Sequence, residues 1–150
     1  MRLKDKVNIK NYFQKIDIRN CLGVTLTMKQ EGDHGKLNSE ISSQNFRHFM
    51  NVLNRQIYKQ KFKRYNKRLK VIPVIENSYK ERLHLHTIIE IPSNINTNEY
   101  CDLIRKLWRE TNYGRQQVHI HKQINSGWTE YITKFKSSFD DVDWVNVHWD

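Results

Sequence analysis

The sequence predicts an α+β domain in which helices flank a central antiparallel sheet. Two observations predict it. Short segments with an apolar period of two alternate along the chain with longer segments of period 3.6. The chain has 150 residues with only 5 Gly and 2 Pro, which suits a single domain over residues 1–150 without long flexible linkers.

The elements follow in order. Residues 1–20 form a basic lead-in. Cys21 to Lys29 reads as a strand, because Leu22, Val24, Leu26 and Met28 alternate with Gly23, Thr25 and Thr27. A polar loop with Gly32, Asp33, Gly35, Asn38 and Ser39 follows. Ser42 or Ser43 can cap a helix through about Lys61, with Phe46, Phe49, Met50, Leu53 and Ile57 as its stripe. Leu69 to Glu76 reads as a strand, and Pro73 within it points to an edge or a bulge. Leu83 to Ile91 is the next strand, stopped by Pro92. Alternation there sets Leu83, Leu85, Thr87, Ile89 and Ile91 on one face and His84, His86, Ile88 and Glu90 on the other. Asn96 to Thr111 reads as a helix with Tyr100, Leu103, Ile104, Leu107 and Trp108 inward, and Asn96 with Glu99 resembles a capping box. Gly114 breaks the chain. Gln117 to Ile124 reads as a strand, Gly127 to Ser137 as a helix, and Trp144 to Trp149 as a further strand. The order β-α-β-β-α-β-α is that of a split β-α-β, ferredoxin-like sheet.

Lys and Arg number 26 against 16 Asp and Glu, a net charge of +10. That excess points to a polyanionic partner, and with 11% aromatics to nucleic acid. Cys21 and Cys101 have no framework spacing and read as reduced thiols. No apolar run is long enough to span a bilayer, and the polar start lacks a signal-peptide core. A cytoplasmic protein with no membrane partner is the expectation.

His84 and His86 project from one face of a strand, roughly 6.5–7 Å apart. Two imidazoles so placed can converge on one ion. Glu76 ends the preceding strand, and a hairpin turn over residues 77–82 would set it beside the pair as an oxygen ligand. Two nitrogens and a carboxylate leave positions open for water or phosphate oxygens, which suits catalytic Mn²⁺ or Mg²⁺. The motif alone is weak: with 7 His in the chain, about one such chain in three has an H-x-H pair by chance. His119 and His121 form a second one.

Tyr131 and Lys134, three residues apart, share a face of the last helix. A phenol with a pKa near 10 is a poor nucleophile at neutral pH. A neighbouring cation and a metal-polarised phosphate make its attack feasible. Attack on a phosphodiester would leave a phosphotyrosine, which keeps the bond energy for resealing, and Lys134 would stabilise the charge. Taken alone, a half-buried tyrosine and a surface lysine are ordinary features of a helix.

Arg55 to Lys70 has no acid. Lys61, Lys63, Arg64, Lys67 and Arg68 are interleaved with Tyr58, Phe62 and Tyr65. Cations track phosphates and aromatics stack on unpaired bases, so this stretch is a candidate for binding single-stranded DNA. The plainer reading is a solvated helix end whose aromatics turn inward.

Three ordered segments resemble the HUH endonuclease family, most closely its rolling-circle replication initiators of small plasmids and viruses. They are the GVTLT strand (Gly23 to Thr27), the His84-Leu85-His86 motif, and Tyr131-Ile132-Thr133-Lys134. The resemblance covers roughly residues 21–137. It implies metal held by His84, His86 and the acidic Glu76, Tyr131 as the single nucleophile, and DNA contact at Thr25 and Thr27. It further implies that the enzyme stays on the 5′ end while the 3′ hydroxyl primes replication. It also separates the two histidine pairs, because a helix must lie between the metal strand and the strand before the tyrosine. His119 and His121 would then touch DNA or lie on the surface. No P-loop motif is present, so a helicase and a polymerase would come from the host or a longer parent protein. A monomer is expected.

Other classes are open on the sequence. A single-tyrosine transposase or a relaxase shares the histidine pair. A non-catalytic single-strand binder on the same sheet would explain charge and aromatics but not the Glu76, His84, His86, Tyr131 and Lys134 set. A structural or ribosome-associated basic protein would need none of that set either.

Overall fold

The computed structural model describes residues 17–32, 35–78, 82–122, 124 and 142–149. Alternation in CLGVTLTM produces β1 (Cys21–Met28). Two short strands, β2 (Glu31–Gly32) and β3 (Gly35–Lys36), form a small separate hairpin. Helices α1 (Ser39–Tyr58) and α2 (Gln60–Tyr65) follow, then β4 (Val71–Ser78), β5 (Arg82–Glu90), α3 (Thr97–Arg109) and β6 (Gly114–His121).

The four long strands form one antiparallel sheet in the order β4-β5-β1-β6. Strand β5 lies between the two strands joined by α1 and α2, and β1 between the two joined by α3. Each helical crossover therefore skips a strand, the split β-α-β arrangement read from the sequence.

The helices cover one face of this sheet. Leu22, Val24, Leu26 and Met28 of β1 and Leu85 and Ile89 of β5 meet Phe46, Phe49 and Leu53 of α1 and Tyr100, Ile104 and Trp108 of α3. The Phe49 and Trp108 rings pack edge to face with centroids 5.4 Å apart. Polar tips tie the same residues to the sheet. Trp108 Nε1 donates to the Thr27 carbonyl (2.8 Å) and the Tyr100 hydroxyl to the Glu90 carbonyl (2.9 Å), so burial leaves neither unpaired.

The opposite face is divided. Its β4 side is apolar: Ile72, Val74, Ile88 and Cys21 pack with Ile18 and Val142, and Trp144, Val147 and Trp149 lean on them. This second contact explains why β4 is apolar on both faces. The chain near Val142 and His148 also caps the outer edge of β4 through bridges to Val74 and Val71. Pro73 falls on that edge, where its carbonyl accepts from Asp143 N (2.9 Å), as expected of a proline in a sheet.

Several boundaries differ from the sequence reading. Helix α1 begins earlier, because the Asn38 side chain accepts from the Ile41 N–H and caps it. It ends at Tyr58, with Lys59 at a positive φ of 51°. Strand β4 starts two residues late, since the Leu69 N–H is taken by the Asn54 side chain (2.7 Å). The tail forms single bridges and a 3-10 turn over Trp144–Asn146 instead of a strand. The expected helix from Gly127 to Ser137 lies outside the described residues.

Gly114 opens β6 instead of breaking the chain. A Cβ there would sit 1.8 Å from the Trp108 carbonyl oxygen and 2.6 Å from Thr111 Oγ1. Relief would require moving the end of α3 away from the sheet. Gly114→Ala is therefore expected to destabilise the protein by about 3 kcal/mol, read as a lowered urea midpoint with unchanged denaturant slope.

Candidate functional site

Strand pairing assembles the site. Because side chains alternate, residues paired across an antiparallel sheet share a face. Glu76 pairs with His84, and His84 with Thr27. One step along, Val74 pairs with His86, His86 with Thr25, and Thr25 with His119. All project from the face that the helices leave open. The start of β5 is fixed by Gln30, whose side chain accepts from the Leu83 N–H (3.0 Å) and donates to the Met28 carbonyl (2.9 Å).

Within this array Glu76 and His86 meet on the diagonal, with Glu76 Oε2 2.8 Å from His86 Nε2. The other ring nitrogen, Nδ1, lies 3.2 Å from Thr25 Oγ1. His86 is 7% exposed, while Glu76 is half-buried and reachable from solvent. Burial holds the His86 pKa below its ordinary 6.5, opposed by the adjacent Glu76 carboxylate and reinforced by His84. Neutral imidazole is the form whose nitrogen can bind a metal.

A nitrogen and a carboxylate oxygen 2.8 Å apart stand near the separation of two donors sharing an ion with bonds of about 2.0–2.2 Å. The residue types fit a divalent cation. His84 shares the face, yet among the described residues no three His, Cys, Asp or Glu side chains are grouped closely enough to hold one. His84 would have to turn its ring toward Glu76 to join the pair.

The other sequence candidates fall elsewhere. Thr27 donates its hydroxyl to the Gln117 carbonyl. Lys61, Lys63 and Arg64 lie on α2, with Lys67 and Arg68 just after it. Lys67 sits over the Tyr58 ring (5.4 Å) and Arg68 over Phe62 (4.8 Å), while Tyr65 is 77% exposed. Lys70 N donates to Glu90 Oε1 (3.0 Å), which ties this stretch to the far end of β5, about 20 Å along the strand from His84. The structure thus separates the basic stretch from Glu76 and His86. Tyr131 and Lys134 lie outside the described residues.

His119 and His121 of β6 are exposed and share the open face with His84 and His86. The sequence shows that each pair shares a face, but pairing between distant strands is needed to show that both share the same one.

A basic α+β protein with a solvent-reachable imidazole–carboxylate pair on an open sheet face is the class that fold and site define. The model of a replication-associated protein family, the ORF2 type, matches residues 21–140, most of the chain, and the protein belongs to that family. Its role accordingly lies in the initiation of DNA replication. No curated protein and no solved structure matches the chain. No helix among the described residues is long and apolar enough to cross a membrane.

The His86 environment sets a pH dependence. Its folded pKa is depressed, so the unfolded chain binds the proton more readily. The associated stability is fully present above about pH 6.5 and is lost as pH falls through the folded value. His86→Gln, which cannot take up the proton, is expected to lose less stability than the wild type between about pH 7 and 5, measured by urea denaturation at each pH. Parallel losses would show that His86 does not contribute.

Proposed function

We propose that this replication-associated protein is a metal-dependent nicking enzyme of the HUH type, which opens single-stranded origin DNA through Tyr131 to start rolling-circle replication. The observation that carries the reading is the 2.8 Å contact of Glu76 and His86, with His84 on the same face. Glu76 and His86, joined by His84 after a ring rotation, would hold one Mn²⁺ or Mg²⁺. Such an ion withdraws charge from the oxygens of a bound phosphate.

The chain's own residues supply the rest. The Tyr131 phenol gives up its proton, and its oxygen attacks the scissile phosphorus. The bond from phosphorus to the 3′ oxygen breaks, and that oxygen leaves as a hydroxyl after taking a proton. The 5′ phosphate remains on Tyr131, so the reverse attack can reseal the strand. Lys134 balances the developing charge. Support for this assignment comes from the flanks. The chain leaves β6 at His121, on the open face, and returns at Val142, bridged to Val74, the residue that pairs with His86.

DNA binding is assigned to Lys61, Lys63, Arg64, Lys67 and Arg68, with Tyr65 free to stack on a base. Their separation from the Glu76–His86 pair suits a strand that is held at one place and cut at another. A host helicase and polymerase would extend the freed 3′ hydroxyl.

The test incubates the protein with labelled single-stranded DNAs, hairpin-bearing origins included, followed by a denaturing gel. A covalent protein–DNA band is expected with Mn²⁺ or Mg²⁺, absent in EDTA and absent in Tyr131→Phe. His84→Ala should lose the band and His119→Ala keep it. Metal-independent binding without any covalent band would replace the nickase with a single-strand binding module.

A further inference from the structure

The geometry points to Thr25 as a positioning residue that holds the His86 ring by Nδ1, so that Nε2 faces the ion-binding position beside Glu76. This role rests on reading Glu76 and His86 as metal ligands. It differs from the DNA contact that the first strand motif implies for Thr25.

Thr25 and His86 are direct partners on neighbouring antiparallel strands. Their side chains rise side by side, and Thr25 Oγ1 reaches Nδ1 at 3.2 Å. Nε2 on the far side of the ring is then directed at Glu76 Oε2, 2.8 Å away. The near-complete burial of His86 limits competition from water for Nδ1. Fixing one ring nitrogen fixes the direction of the other, which is how an outer hydrogen bond orients a metal-binding imidazole.

A hydroxyl suits this place because it both donates and accepts. A metal-binding Nε2 carries no proton, so Nδ1–H must donate, and Thr25 Oγ1 accepts. Without an ion, Nε2–H can donate to Glu76, and the Thr25 hydroxyl then donates to Nδ1. One side chain therefore supports both tautomers, whereas a carboxylate or carbonyl there could only accept. Thr27, two residues on and paired with His84, does something else. The register shift between β1 and β6 past Leu26 accompanies a Thr27 hydroxyl committed to the Gln117 carbonyl. Two threonines equivalent in the sequence pattern thus have different tasks.

The test compares Thr25→Val, which keeps shape and branching, with Thr25→Ser, which keeps the hydroxyl. Two affinities are measured: that for Mn²⁺ without DNA, from the electron paramagnetic resonance of free ion, and that for single-stranded DNA in EDTA. Thr25→Val is expected to weaken Mn²⁺ binding about 10–100-fold, and Thr25→Ser by no more than about threefold. DNA affinity in EDTA should be the same for all three proteins. Unchanged Mn²⁺ affinity in Thr25→Val would overturn the role, and a selective loss of DNA affinity would assign Thr25 to DNA instead. An equal loss of Mn²⁺ affinity in Thr25→Ser would trace the effect to the γ-methyl group and also overturn it. Wild-type protein that binds no Mn²⁺ would overturn the metal site and this role together, so the wild-type arm separates the two failures.

Discussion

The placement of β5 in the sheet governs the rest of the molecule. It is paired along its length with β4 on one side and β1 on the other. Its odd-numbered residues are drawn into the helix-covered core, and Leu85, Thr87 and Ile89 are fully buried there. Alternation then leaves His84 and His86 no choice of face. A slip of one residue would put two imidazoles among Phe49, Leu53 and Trp108 and expose the leucines. The energy that fixes the register is thus the burial of apolar side chains that never approach the open face.

Much of this was legible in the sequence. Period-two and period-3.6 patterns identified the strands and helices of the described core, and alternation divided β5 into the two faces observed. The proximity of Glu76 to the histidines followed from a short hairpin, a local matter. Less legible were features that depend on distant partners. Asn38 looks like a loop residue until its side chain is seen capping α1. Leu69 has strand character, but Asn54 on α1 takes its N–H. Gly114 resembles a chain breaker until the Trp108 carbonyl appears against it. The contact of Thr25 with His86 joins residues 61 positions apart, and no local pattern encodes it. Tyr131 and Lys134 remain motif residues, outside the described part of the chain.

Charge is unevenly used. The net +10 gathers a dense stretch after α1, where Lys67 and Arg68 rest on aromatic rings. The open sheet face carries groups that are neutral or weakly basic near neutral pH: threonines, a buried imidazole and exposed histidines. A polyanion would be drawn mainly to the first region by long-range attraction. The second offers short-range, directional groups. Such a division lets binding strength change with salt while the geometry around His86 stays the same.

The unequal covering of the sheet bears on how the protein opens. Strand β5 has hydrogen-bonded neighbours on both sides, the helices on one face, and the residues around Val142 and Trp149 over part of the other. Strand β6 ends the sheet order, and its histidines face solvent. Backbone amides of β5 should therefore exchange with solvent only on near-global unfolding, while those of β6 exchange through smaller openings. The imidazole–carboxylate pair stands on the part of the sheet that yields last. Breathing of the β6 margin can admit or release a long flexible strand without disturbing the rings beside it.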